Sequence, residues 1–151
     1  MSMTVEYKCR DFGHGVHALP LRQSAGSSGY DLVAALSNPI QLRPGDCWQI
    51  PCGFQMEMPL GYEAQIRSRS GLALKHGLTV LNSPGTIDSD YRGEICVILQ
   101  NFGSKTVIIE PGMRIAQLVF AKVEHPEFLM KLDSLSETER DDKGFGSTGA
   151  R

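Results

Sequence analysis

A chain of 151 residues with 41% apolar side chains has material for one domain with its own core, which excludes a disordered class. A formal net charge of −2, from 15 basic and 17 acidic residues, lacks the basic excess of a general nucleic-acid binder. A compact anionic ligand stays open, because local charge and backbone amides decide its binding. The cysteines, Cys9, Cys47, Cys52 and Cys96, form no C-x-x-C pair and match no histidine at ligand spacing, which argues for buried free thiols rather than zinc. No run approaches the ~20 apolar residues of a membrane span, and Met1 to Glu6 starts no apolar leader, so a soluble, cytoplasmic protein without an export signal or a membrane partner is expected.

In chain order, Ala25-Gly26-Ser27-Ser28-Gly29-Tyr30-Asp31-Leu32 is a glycine-rich loop running into a strand that delivers a carboxylate. By itself it reads more readily as a structural turn than as a site. Trp48, Ile50, Cys52, Phe54, Met56 and Met58 alternate, as one buried strand face requires, and Pro51 places an edge or bulge there. A short helix is predicted from Ser70 to His76, ended by Gly77 at C′. Its start, Arg67-Ser68-Arg69-Ser70-Gly71, offers backbone N–H groups, a helix dipole and a cation, and reads equally as an anion site or an ordinary cap.

Asn82 to Gly93, NSPGTIDSDYRG, sets Asp88 and Asp90 in a turn-rich segment beside strands. Such residues form turns, yet a carboxylate held beside a bound phosphate can also take a proton from water. Glu94 to Asn101 has the apolar centre Ile95-Cys96-Val97-Ile98-Leu99, which predicts a strand covered on both faces. Thr106 to Ile109 and Ile115 to Val123 are further strands. Gln117 is polar within the last of these, and regular alternation puts it on the face opposite Arg114. Pro-Gly and Gly-rich separators between such short strands predict an all-β sandwich or barrel. Near residue 133 the composition turns polar. Residues 1–133 form the β domain, and 134–151 a tail that has too little apolar surface to fold alone. The tail nevertheless carries Arg140 and Gly144-Phe145-Gly146-Ser147-Thr148-Gly149: a cation, an aromatic plate and hydroxyls suited to a base and phosphates.

In this order the segments resemble the five motifs of the trimeric dUTPase family, from about Ser24 to Gly149, with GTIDSDYRG, RIAQL and GFGSTG as the most specific parts. The resemblance implies a distorted jelly-roll β domain that forms a homotrimer, each site using residues from all three subunits. It implies hydrolysis of dUTP to dUMP and pyrophosphate, which limits uracil entry into DNA and supplies dUMP for thymidylate synthesis. By the same resemblance Asp88 activates the water that attacks the α-phosphorus. Asp31 is linked through water to a magnesium ion on the triphosphate. Arg69, Ser70, Gly71 and Gln117 bind phosphates. The hairpin of Asn82, Gly85, Thr86 and Ile87 receives uracil and deoxyribose, and Tyr91 excludes a 2′-hydroxyl. In the tail, Arg140 reaches the γ-phosphate, Phe145 stacks on uracil, and Gly146, Ser147 and Thr148 complete a lid over the phosphates.

The chain departs from the family pattern at Ser68, where proline is common, and at Asp141-Asp142-Lys143, where small residues prevail. The latter departure bears on tail closure. A dUTPase-fold regulatory protein without catalysis is a second reading, opposed by intact Asp31, Arg69, Asp88, Gln117 and Phe145. dCTP deaminase is a third. Its usual Trp is replaced by Tyr91, and its catalytic glutamate falls at Ile98, which shuttles no proton.

Overall fold

A computed structural model of the chain describes residues 3–9 and 19–142. Short β-branched and aromatic runs divided by turn residues form eleven strands and one helix among them. They are β1 (Glu6–Cys9), β2 (Tyr30–Val33), β3 (Ile40–Leu42), β4 (Cys47–Pro51), β5 (Phe54–Glu57), β6 (Tyr62–Arg67), α1 (Ser70–His76), β7 (Leu78–Val80), β8 (Gly85–Ile87), β9 (Cys96–Asn101), β10 (Val107–Ile109) and β11 (Arg114–Lys122). Antiparallel pairing gives a four-stranded sheet ordered β2-β11-β6-β8, a three-stranded sheet β4-β9-β7, and the pairs β1-β5 and β10-β3. The expected all-β architecture with one short helix is present. The described strands pack as separate sheets rather than as a closed barrel.

The four-stranded sheet positions the site. Residues paired across neighbouring strands point to the same face. Leu32, Ala64, Ile66, Ala116 and Leu118 face the core and are buried. The opposite face carries Asp31, Gln117 and Arg67 in one register row, with Gln65 and Thr86 in the next. The second layer supplies Ile50, Val97, Leu99, Leu78 and Val80 to the same core.

The alternating run from Trp48 to Met58 is two strands, β4 and β5. Gly53 separates them at φ 77, a backbone conformation that favours glycine. Ile50, Cys52, Phe54, Met56 and Met58 are buried as expected, but Trp48 is 49% exposed. It lies on β4, an outer strand of its sheet, where few neighbours cover a large ring. Pro51 occupies that edge strand, where its missing N–H costs no ladder bond. In β9, Val97, Leu99 and Asn101 are buried while Cys96, Ile98 and Gln100 are half-buried, so one chain covers one face fully. Only Cys52 of the four thiols is fully buried. Cys96 is half-buried, and Cys9 and Cys47 are exposed. Burial pushes the Cys52 thiol, and less completely the Cys96 thiol, above the ordinary range, so both stay protonated.

Asn101 is a buried polar residue with every group satisfied. Its Nδ2 donates to Leu42 O at 2.9 Å and Lys105 O at 2.8 Å, and its Oδ1 accepts from Gly103 N at 2.8 Å. It ties the end of β9 to β3 and to the following turn. Helix α1 has the predicted bounds, and Gly77 ends it at φ 68, its N–H donating to Ala73 O. A Cβ there would also lie 2.7 Å from Gly103 Cα, so only glycine fits. No described helix is long and apolar enough to cross a membrane.

Candidate active site

Asp31 occupies β2 directly opposite Gln117 of β11, and Gln117 lies opposite Arg67 of β6. The Asp31 side chain is 12% exposed and is the focus of three donors. Arg69 Nε lies 3.2 Å from Oδ1, Arg114 Nη1 3.4 Å from Oδ2, and Gln23 Nε2 donates to Oδ2 at 2.9 Å. Arg69 Nη1 also donates to Arg114 O at 3.1 Å, locking the two arginine-bearing segments together.

Regular alternation set Arg114 and Gln117 on opposite faces; the structure corrects this. The β2–β11 register shifts between Arg114 and Ala116, and both Ile115 and Ala116 are buried. The extra residue of this bulge re-aims Arg114, so that it reaches the same carboxylate that faces Gln117. Gln117 itself is tightly seated. Its Nε2 donates to Ser68 O at 3.0 Å, and its side chain packs against Gly29, where any Cβ would overlap Oε1. Ser68 is used too: its Oγ accepts from Val80 N at 2.9 Å, a contact proline cannot make.

Helix α1 opens beside this cluster. Arg69 is its N-cap residue at φ −90°, no side chain caps the first turn, and no acidic residue sits in it. Together these elements wall a cleft of about 610 Å³. It is lined by Asp31, Arg69, Ser70, Gly71 and Gln117, all expected from the sequence, and by Gln23, Arg67, Lys75 and His76, which were not. Three permanent cations face one carboxylate there, as polyanion binding requires. A basic residue two positions before Arg69 and Lys75 in the last turn of α1 were visible signals, but only folding shows that they share the cleft.

The hairpin residues are elsewhere. None of Asn82 to Tyr91 lines the cleft. Thr86 of β8 pairs with Gln65, at the sheet edge away from Asp31. Asn82, Thr86 and Asp88 are exposed, Ile87 is half-buried, and Gly85 is buried with Asn82 Nδ2 beside it. Tyr91 is 44% exposed yet firmly held. Its N–H donates to Asp88 O at 3.2 Å and its hydroxyl to Glu94 O at 3.1 Å. A Cβ at Gly93 would lie 2.9 Å from Tyr91 Cε2 and overlap the phenol end, so Gly93 leaves the space this ring fills. Arg92 braces the turn from Ser89 O at 2.7 Å and Glu57 Oε1 at 3.1 Å.

Among the described residues no helix or strand follows Lys122, and residues 124–142 are exposed. Phe128, Leu129, Met130, Leu132 and Leu135 are each at least 80% exposed. Arg140 lies in this stretch, outside the cleft lining. Phe145, Gly146, Ser147 and Thr148 lie outside the described residues.

No group of three or more His, Cys, Asp or Glu side chains gathers among the described residues. The cleft instead offers Asp31 alone. That donor set fits magnesium, which takes most of its oxygens from phosphate and water, and does not fit a protein cage.

The comparisons with known proteins agree with this geometry. The dUTPase family model matches residues 17–149. The deoxyuridine 5′-triphosphate nucleotidohydrolase of Chlamydia pneumoniae is 60% identical over 132 residues, covering 87% of this chain and 91% of that protein. That of Chlamydia caviae is 53% identical over 135 residues, covering 88% and 92%. Among solved structures, Staphylococcus bacteriophage 80alpha dUTPase with dUpNHpp superposes with a TM-score of 0.85 at 26% identity, covering 97% of this chain and 98% of the phage chain. The dUTPase of phage phi11, described with a structural Mg(II) ion, shares the fold with a TM-score of 0.77 at 22% identity. The phosphate-type cleft, the rigid tyrosine hairpin and these matches agree: this chain belongs to the dUTPase family.

Proposed function

We propose that the chain is a dUTP diphosphatase, hydrolysing dUTP to dUMP and pyrophosphate, and that it works as a homotrimer with shared sites. The observation that carries the reading is the convergence of Asp31, Arg69, Ser70, Gly71 and Gln117 in one cation-lined cleft that lacks the Tyr91 hairpin. A site that needs both parts is completed by a hairpin from another subunit. The exposed apolar run of Phe128, Leu129, Met130, Leu132 and Leu135 supports assembly, because such a run needs a partner surface. Residues 1–133 then form the β domain and 134–151 an arm over the site.

In this reading Arg69 and the backbone of Ser70 and Gly71 hold the phosphates, and Gln117 fixes their position from β11. Asn82 to Ile87 receive the uracil and the sugar, and the braced Tyr91 ring fills the space a 2′-hydroxyl would need. Asp88 accepts a proton from a water lined up with the α-phosphorus. The new O–P bond forms on one side as the bond to the bridging oxygen breaks on the other, and pyrophosphate carries away the electron pair. Asp31, through water, would hold magnesium, which when bound neutralises phosphate charge. Arg140 and Phe145 to Thr148 cover the nucleotide and exclude bulk water.

Incubating the full chain with each dNTP and UTP in magnesium tests the activity. Pyrophosphate release from dUTP alone is the expected result. Deoxyuridine products from dCTP would make the protein a deaminase, and tight dUTP binding without turnover would make it a regulatory nucleotide binder.

A further inference from the structure

The cleft contains a cation to which the five motifs assign no role. Arg67 is the last residue of β6 and stands directly opposite Gln117. It lines the same cleft as Arg69. The two arginines differ in electrostatic circumstance. Arg69 is paired with Asp31, as is Arg114. The ion pairs among the described residues involve Arg69, Arg92 and Arg114, not Arg67.

Arg67 is nevertheless fixed. Its Nε and Nη2 both donate to Gln65 Oε1, at 3.0 and 2.5 Å. Gln65 Nε2 in turn donates to Glu63 Oε1 at 2.5 Å. Glu63, Gln65 and Arg67 therefore form one ladder along the exposed face of β6. A neutral amide, Gln65, stands between the two charges, so Arg67 makes no direct ion pair with Glu63. The ladder fixes the guanidinium through that amide and leaves its Nη1 edge to fork onto an oxyanion.

We propose that Arg67 is a further triphosphate-binding residue of this cleft, with Gln65 and Glu63 as its positioning residues. The inference deepens the dUTP reading and rests on it for the identity of the ligand. A surface arginine that merely solvates the sheet face would be free to move. Here the guanidinium is anchored in register with Gln117, on the floor of the cation-lined cleft.

The test measures binding of inorganic triphosphate to the full-length protein by calorimetry, alongside dUTP turnover. Arg67→Ala is expected to weaken triphosphate binding about tenfold or more, the range for losing a charge-assisted hydrogen bond. Arg67→Lys is expected to recover a substantial part of that loss, with melting temperature and subunit mass unchanged in both. Raised salt should narrow the gap between wild type and Arg67→Ala. Unchanged triphosphate affinity in Arg67→Ala overturns the proposal. So does a loss that comes with a lower melting temperature or broken assembly and that lysine does not restore, which would mark Arg67 as a structural residue. A wild-type protein that binds triphosphate through Arg67 but leaves dUTP intact would refute the dUTP reading alone.

Discussion

Replacing Gly29 by alanine tests the seating of Gln117. The new Cβ would overlap Oε1 of Gln117 and lie 3.1 Å from its Cδ and 3.2 Å from its Cβ. Gln117 Cβ is held by β11 pairing on both sides, so the side chain must rotate instead. Rotation breaks the 3.0 Å bond to Ser68 O. Losing that bond costs about 0.5–1.5 kcal/mol, and an off-rotamer side chain about the same again. At 1.4 kcal/mol per tenfold, a loss of roughly 1–3 kcal/mol predicts a fall in kcat/KM for dUTP of about 5- to 150-fold. Gly26 lies in the same loop with nothing within 4 Å of its would-be Cβ, so Gly26→Ala is the internal control. Steady-state pyrophosphate release, with melting curves for both variants, is the assay. Wild-type kcat/KM in Gly29→Ala, or an equal fall in Gly26→Ala, would mean that the Gly29 contact does not seat Gln117.

Asp88→Asn should retain dUTP binding but lose about 10²–10⁴ in turnover, the usual worth of a general base; wild-type rates in the purified variant would assign the base elsewhere. Tyr91→Ala should weaken dUTP while raising the relative use of UTP, measured as the ratio of kcat/KM values. An unchanged ratio with a lower melting temperature would make Tyr91 a packing residue only. Asn101→Ala should cost about 2–5 kcal/mol in urea unfolding, because it strands Leu42 O, Lys105 O and Gly103 N where water is scarce. A cost under about 1 kcal/mol would mean that water replaces the lost bonds.

What was legible in the chain followed the reach of local chemistry. Ser70 to His76 and Gly77 were readable because a helix of this length and its left-handed terminus are set by neighbouring residues. The alternating apolar residues from Ile50 to Met58 predicted burial, since period two survives even where Gly53 divides the run into two strands. Strands of three or four residues such as β1, β3 and β7 are too short to show a period. The bulge near Ile115 depends on how β11 meets β2, so Arg114 was assigned to the wrong face. Asp31, Arg69 and Gln117 were found through motif order, and the fold unites them. Arg67 opens the second segment and Lys75 sits in the last turn of α1, but no role was legible for them or for Gln23, because their place at the cleft arises from long-range packing. Ser68 reads as a departure in one dimension and as a hydrogen-bond acceptor for Val80 in three.

Subunit complementation reads directly whether the dUTP-hydrolysing site is split between subunits. Arg69→Ala removes a cleft residue, and Asp88→Asn removes the hairpin carboxylate. Each variant alone should be nearly silent toward dUTP. When the two are co-refolded in equal amounts, a site that takes Arg69 from one subunit and Asp88 from another is intact in about one quarter of random assemblies. Recovery of about a quarter of wild-type turnover is expected from a shared site. A mixture no more active than either variant alone, despite demonstrated subunit exchange, would contradict it.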